Sequence, residues 1–142
     1  MIYLLDTDHI SLIQRESGEA YHTLVTHMAQ HSPTDIAFSI VSMHEQVLGC
    51  HTFINRARRS SDVIEGYDML AQVLRDFSAV PVLPFDVSAA IVFDRLVDQR
   101  VRIGRMDLRI ASIALSRDMV SVTRNASDFS KVPGLRIEDW SR

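Results

Sequence analysis

Ile2-Tyr3-Leu4-Leu5-Asp6 (residues 2–6) is a continuous apolar run that ends in a carboxylate. A strand buried on both faces has no polar side to show, so it reads as an unbroken run rather than as an alternation. An acid placed directly after such a strand lies beside the low-dielectric interior, where a charge is costly unless something offsets it.

Runs of the same kind recur at Ile36 to Val41, Val80 to Leu83 and Met119 to Thr123, with a last edge strand at Leu135 to Ile137. Pro81 and Pro84 confine the third run to a short strand near an edge. Helical patterns fill the intervals. Asp8 reads as an N-cap for a short helix over Ile10 to Gln14, and Ser17-Gly18-Glu19 opens a second helix that runs through His31 to the Ser32-Pro33 break. Ser42 starts a third, Ser60-Ser61-Asp62 caps one from Val63 to Phe77, Asp86 caps one through Gln99, and Asp107 begins another. Asn125 to Lys131 reads as a turn or short helix. Short apolar strands alternating with amphipathic helices predict a three-layer α/β/α sandwich around a parallel sheet of four to five strands, with right-handed crossovers.

The chain has 142 residues, 46% hydrophobic and 23% charged, with no repeat and no linker, which predicts a single domain over residues 1–142. No run spans a bilayer, and the N-terminus lacks the basic flank of a signal peptide. Cys50 is alone, so an internal disulfide and a cysteine-based zinc site are excluded, and a reducing cytoplasm fits. The net charge of -3 does not advertise nucleic-acid binding. The basic residues are nevertheless unusual. Lys131 is the only lysine among the 15, and the arginines cluster at Arg56, Arg58, Arg59 and at Arg100, Arg102, Arg105, Arg109. Arginine makes planar, forked contacts to phosphate, although charge runs also serve simply as solvated faces.

In open parallel sheets, ligands bind beyond the carboxyl ends of the strands. Asp6, Glu45, Asp107 and Asp128 fall there, or at the adjoining helix starts, from four separate segments. Each has a plain structural reading. Asp6 or Asp8 can cap a helix, Ser42-x-x-Glu45 is a capping-box pattern, and Asp107 and Asp128 suit helix N-termini. Together they would repel one another unless a cation sat between them. Oxygen ligands alone favour magnesium or manganese. The histidines make a weaker case. His27 and His31 have zinc-like i, i+4 spacing without an acidic or cysteine partner, His44 points away from Glu45, and His9 reads as a surface residue near the site. The runs Tyr67-x-x-Leu70 and Val73-Leu74 read as core or as a face for another chain.

The stretches YLLDTDHISLIQR, SIVSMHEQVLG, IGRMDLRIASIAL and VSVTRNASDFSKVPGLRIEDW, in this order from residue 2 to residue 140, resemble the PIN-domain ribonucleases, and specifically the toxins of VapBC-type toxin–antitoxin pairs. The resemblance implies a PIN-like fold, a Mg2+ or Mn2+ cofactor and RNA cleavage leaving 5′-phosphate and 3′-hydroxyl ends. It implies that Asp6, Glu45, Asp107 and Asp128 are the catalytic and metal-binding acids, with Asp6 and Asp107 bridged by the ion and the other two acting directly or through water. Thr123 and Asn125 match supporting polar positions, and Asp8 stands where the family often has Asn or Asp. A small antitoxin partner and a homodimer are implied as well. Arg56, Arg58, Arg59, Arg102 and Arg105 are the candidates for holding the RNA backbone.

Two other readings compete. Asp6-Thr7-Asp8 also follows a strand in haloacid-dehalogenase-type phosphatases, but these require a well-placed lysine and a different residue where Ile10 stands. A module that binds RNA or protein without cleaving would not need four acids.

Overall fold

Leu4 and Leu5 are chain neighbours in the first strand, β1 (Tyr3–Leu5), and both are completely buried, on opposite faces. That pair accounts for the unbroken apolar run, because the strand has a helical layer on each side. The computed structural model describes residues 1–142. After β1 come α1 (Thr7–Arg15), α2 (Glu19–Met28), β2 (Ile36–Ser39), α3 (Ile40–Arg56), α4 (Ser60–Ser78), β3 (Val82–Leu83) and α5 (Val87–Asp98). They are followed by α6 (Arg105–Ser116), β4 (Val120–Val122), α7 (Ala126–Phe129) and β5 (Ile137–Glu138).

The five strands form one sheet in the order β3-β2-β1-β4-β5, and every pairing is parallel. Tyr3, Leu4 and Leu5 pair with Val120, Ser121 and Val122. On one face, Leu4 and Ala37 pack under α5 and α6 with Leu96, Leu108, Ile110 and Ile113. On the other, Leu5, Phe38 and Val122 meet Ile10 and Leu12 of α1, Leu24 of α2 and Phe77 of α4. Each fully buried Leu, Ile or Phe contributes about 1.5–3 kcal/mol, so the two apolar layers hold the sheet between them. The result is the three-layer α/β/α sandwich expected from the sequence, with both short strands, β3 and β5, at the edges.

The chain runs from β1 outward through β2 to β3, then returns across the sheet to β4 on the other side of β1. The order therefore reverses between β1 and β4, and a crevice opens beyond the carboxyl ends of these two strands, as at any such switch point.

Several boundaries differ from the sequence reading. α1 begins directly after Asp6, so Asp6, not Asp8, occupies the N-cap position. Ser39 caps α3, its hydroxyl accepting from the Ser42 amide at 3.0 Å, so β2 ends earlier and α3 starts at Ile40. α2 ends at Met28, short of His31. β5 lies at Ile137–Glu138, slightly beyond the Leu135 to Ile137 run.

Candidate metal centre

Asp6 follows β1 at the switch point and is only 4% exposed. Its amide continues the sheet ladder to Val122 O at 2.9 Å, which fixes the Cα at the rim of the crevice. One carboxylate oxygen accepts from the Thr7 amide at 2.8 Å, the other from the Thr123 hydroxyl at 2.8 Å. Glu45 projects from the second turn of α3, and Asp107 from the first turn of α6. One carboxylate oxygen each from Asp6, Glu45 and Asp107 lies within 4.8 Å of the other two.

At such spacing each pair of like charges would repel by about 3.5 kcal/mol or more for an effective dielectric of about 20. None of the three acids takes part in an ion pair. The protons respond accordingly. Burial, then the charge of Asp8, pushes the Asp6 carboxyl up to about 7, against the opposing hydrogen bonds from Thr123 and Thr7. Burial and then the charges of Glu45 and Asp128 raise Asp107 as well. Without a cation beside them, Asp6 and Asp107 hold their protons more tightly than ordinary carboxyls; a hard divalent cation, which takes carboxylate oxygens, would replace them. The donor set, three carboxylates and no nitrogen or sulfur, fits magnesium or manganese.

Asp128 stands apart from this trio. It lies on α7, is partly exposed, and pairs with Lys131 at 3.4 Å. Asn125 links it to the cluster, its amide nitrogen donating to Asp128 at 3.1 Å and reaching Asp107 at 3.5 Å. The Asn125 bond is the main cause that holds the Asp128 carboxyl below the usual range. The sequence pattern has all four acids converge; the structure brings three together and ties the fourth on through Asn125. Thr123, the other supporting residue, touches Asp6 directly.

Thr7 has no place in the sequence reading. Its hydroxyl donates to Glu45 Oε1 at 2.7 Å. Because a hydroxyl has one hydrogen, the 2.9 Å contact between Thr7 and Ser42 must run from Ser42 to Thr7, and the 3.3 Å contact of Ser39 with Ser42 follows in the same direction. Ser42, expected to form a capping box with Glu45, instead joins Ser39 and Thr7 in a hydroxyl chain that ends on the Glu45 side chain. A hydroxyl directly after the strand-ending acid was the available signal. His9, read as a surface residue, is wholly buried and bonds to Asp8 at 2.8 Å. His27 and His31 lie near parallel to the Trp140 ring at 4.7 and 4.9 Å, which gives these rings a packing role.

Arg105 begins α6, two residues before Asp107, and Arg102 precedes it; both are exposed and form no ion pair. Arg56 ends α3, eleven residues beyond Glu45, and so about 16 Å along the helix axis. Arg58 and Arg59 follow it, exposed, on the turn into α4. The two arginine clusters thus sit at different distances from the acids.

A parallel α/β/α sandwich with acids gathered at its switch point is the layout of a PIN-domain protein. No family model matches the sequence. The chain is 33% identical over 110 residues to the tRNA(fMet)-specific endonuclease VapC of Shigella flexneri, covering 75% of this chain and 76% of that protein. It is 31% identical over 109 residues to the protein of the same name from Salmonella typhimurium, covering 74% and 75%. Among solved structures, DNA-bound VapBC from Salmonella typhimurium superposes with a TM-score of 0.75 at 26% identity, over 99% of this chain and 98% of that one. The chain belongs to the VapC ribonucleases, the toxins of toxin–antitoxin systems. No helix is long and apolar enough to cross a membrane.

Proposed function

We propose that residues 1–142 form one metal-dependent endoribonuclease domain that hydrolyses RNA phosphodiester bonds and leaves 5′-phosphate and 3′-hydroxyl ends. The observation that carries this reading is the approach of Asp6, Glu45 and Asp107 to within 4.8 Å of one another with no cationic side chain between them. These three would hold Mg2+ or Mn2+, and Asp128 would join directly or through a water oriented by Asn125. The ion, when bound, supplies polarisation of the scissile phosphate and a water of lowered pKa. The chain's own residues do the rest. Thr123 and the Thr7 amide hold Asp6 as an acceptor, Thr7 aims Glu45, and the arginines at the rim bind the RNA backbone.

Arg102 and Arg105 are the first candidates for that contact, since both are exposed and close in the chain to Asp107, while Arg56, Arg58 and Arg59 would serve a longer RNA. The names of the Shigella and Salmonella relatives support tRNA as the first substrate class to test. A small antitoxin is the expected protein partner, as in the VapBC complex of Salmonella typhimurium. Apolar side chains left open on α4 and α5, among them Tyr67, Leu74, Val87 and Ile91, support contacts with further chains, including a second copy in a homodimer. A cytoplasmic setting suits an RNA substrate and the unpaired Cys50. The phosphatase alternative finds no lysine at Asp6, which forms no ion pair; Lys131, the only lysine, lies at the surface 3.4 Å from Asp128.

The deciding experiment is cleavage of end-labelled tRNA and ribosomal RNA with Mn2+, with Mg2+ and with chelator, for wild type beside Asp6→Asn and Asp107→Asn. Metal-dependent fragments with 5′-phosphates that vanish in both variants support the reading. Equal cleavage by all three proteins refutes this site, and RNA binding without cleavage leaves a binding module.

A further inference from the structure

Asp8 takes no part in the trio of acids, yet both of its carboxylate oxygens are engaged in a line of hydrogen bonds that begins at Trp140. The Trp140 ring is fully buried, lying against His27 and His31 and, at 4.8 Å, against Tyr3. Its indole N–H donates to Glu138 at 3.3 Å, so the residue is held on several sides. The Trp140 backbone amide donates to His9 Nε2 at 3.1 Å. Asp139 Oδ1 also lies 3.5 Å from that nitrogen but already accepts from the Ser141 amide and hydroxyl; with the Trp140 amide donating to it, Nε2 carries a lone pair and the ring's hydrogen sits on Nδ1. Nδ1–H donates to Asp8 Oδ1 at 2.8 Å.

The other oxygen, Asp8 Oδ2, accepts from the Arg124 amide at 3.0 Å. Thr123 Oγ1 lies 3.3 Å from the same oxygen, but its single hydrogen goes to Asp6 at 2.8 Å. The Arg124 amide belongs to the turn that presents Thr123 to Asp6 and Asn125 to Asp107 and Asp128. Thr123 also accepts from the Asn125 amide at 3.0 Å, which closes the turn on itself.

We propose that Asp8 is a positioning residue for the metal centre, and that it must be a carboxylate because the buried His9–Trp140 contact fixes a donor on one side of it while the Arg124 amide fixes a donor on the other. An asparagine there has one acceptor and one donor. Whichever way it is turned, its NH2 group meets another N–H: against the wholly buried His9 that clash is expensive, and against Arg124, on the exposed side, it breaks the bond that holds the turn. Relief comes by moving the side chain or the 123–125 turn, and the turn carries Thr123 and Asn125 away from the acids they orient. The pairing of Asp8 with His9 is thus a unit: without the histidine hydrogen, one acceptor would suffice. Asp8 is part-exposed, with 32% of its side chain open, so water can satisfy an amide NH2 once the opposing donor is gone.

This inference rests on the metal reading above, and the test separates the two. Binding of Mn2+ to the full chain is followed by the loss of the free-ion electron paramagnetic resonance signal for wild type, Asp6→Asn, Asp8→Asn and the double variant Asp8→Asn/His9→Leu. Asp8→Asn is expected to weaken Mn2+ binding about tenfold or more, the usual effect of losing a group that orients a metal ligand. Removing one negative charge would also weaken binding, and the double variant separates that cause, because it has the same charge at position 8. It is expected to recover most of the affinity while its Tm falls, since the Trp140 amide is left without its acceptor. Wild-type affinity in Asp8→Asn overturns the proposal, as does a double variant that binds no better than Asp8→Asn. Absence of Mn2+ binding in wild type overturns the metal reading and this inference with it. Should Asp8→Asn fail to fold, the imidazole 15N spectrum of wild type decides: hydrogen on His9 Nδ1 and a bare Nε2 are expected, and the opposite tautomer overturns the proposal.

Discussion

Thr7 donates its hydroxyl hydrogen to Glu45 Oε1 at 2.7 Å, so the residue next to one acid of the cluster orients another acid on a different helix. A single helix start thereby sets the spacing of two carboxylates that repel. Replacing the hydroxyl by a methyl group of nearly the same shape tests this. Thr7→Val should lower Mn2+ affinity and RNA cleavage about 10–100-fold, as expected when the partner of a metal ligand is removed. Its stability should fall by only about 0.5–1.5 kcal/mol, the net worth of one hydrogen bond. Thr7→Ser should restore most of the affinity. Parallel calorimetry and thermal denaturation separate the two effects, and an unaltered affinity in Thr7→Val would remove Thr7 from the site.

The protons held by the cluster give the metal-free protein a distinctive pH response. Asp6 has its carboxyl raised to about 7, and Asp107 is raised in the same direction. A raised carboxylate binds protons more tightly in the folded chain than in the unfolded one. Its contribution to stability is fully present below the unfolded value of 3.8 and is lost as pH rises through about 7. For Asp6 the change is on the order of 4 kcal/mol at most. Asp128 and Asp139 are held below the usual range, so their contributions are lost only as pH falls below about 4 and leave this window untouched. The Tm of chelated protein should therefore fall between pH 5 and pH 8, roughly, and Asp6→Asn should flatten that fall. Saturating Mn2+ should reverse the slope, because the ion competes with the protons. A Tm of the chelated wild type that rises across this interval would contradict the assignment.

The two arginine clusters should separate in a salt titration of RNA binding. Arg105 begins the helix that carries Asp107, whereas Arg56 lies at the far end of the helix that carries Glu45. Each phosphate that the protein no longer neutralises reduces the slope of log affinity against log salt by about 0.7–0.9. Arg102→Ala and Arg105→Ala should each show that change with a short RNA, and should weaken cleavage through KM. Arg56→Ala, Arg58→Ala and Arg59→Ala should leave the short RNA unaffected and weaken only a full-length tRNA. Equal effects of both clusters on the short substrate would defeat the distinction.

Helices α3 and α4 approach each other at Gly66, where a Cβ would stand 2.5 Å from Ile54 Cγ1 and 3.1 Å from Phe53 Cδ1. Alanine gains about 1 kcal/mol of helix propensity over glycine, but forcing a methyl into a packed contact costs about 1–3 kcal/mol. The clash should win. Gly66→Ala should lower Tm by a few degrees, about 2–4 °C per kcal/mol for a chain of this size, with Mn2+ affinity unchanged. A rise in Tm would show that the helices part without cost.

The features written locally were legible in the sequence. Leu4 and Leu5 identify a strand covered on both faces, and the acid that follows is where the sheet order reverses. Asp86 caps its helix as the residue type suggests, accepting from the Ala89 amide at 3.0 Å. What escaped depends on partners distant in the chain. Ser42-x-x-Glu45 has the spacing of a capping box, and only the approach of Thr7 decides that Glu45 turns away from the backbone. His9 looks like a surface residue until Trp140, 131 residues later, supplies its hydrogen-bond donor. Asp128 has the same local setting as the other acids, a helix start near a strand end, and only the reach of Asn125 shows that it belongs to an outer position.

The bond from Thr123 to Asp6 spans 117 residues of chain and crosses from the fourth strand to the first. Synthesis proceeds from the N-terminus at about 5–20 residues per second, so Asp6 waits on the order of ten seconds for its partner. During that time β2 and Glu45 are present and can fold with the early helices, but Asp107 and β4, the strand on the other side of β1, are still to come. A chain that has not yet reached Asp107 therefore has no closed cluster. A protein that cuts RNA is itself made on a machine built of RNA, and with this strand order its three acids cannot meet before the chain has been made through Asp107.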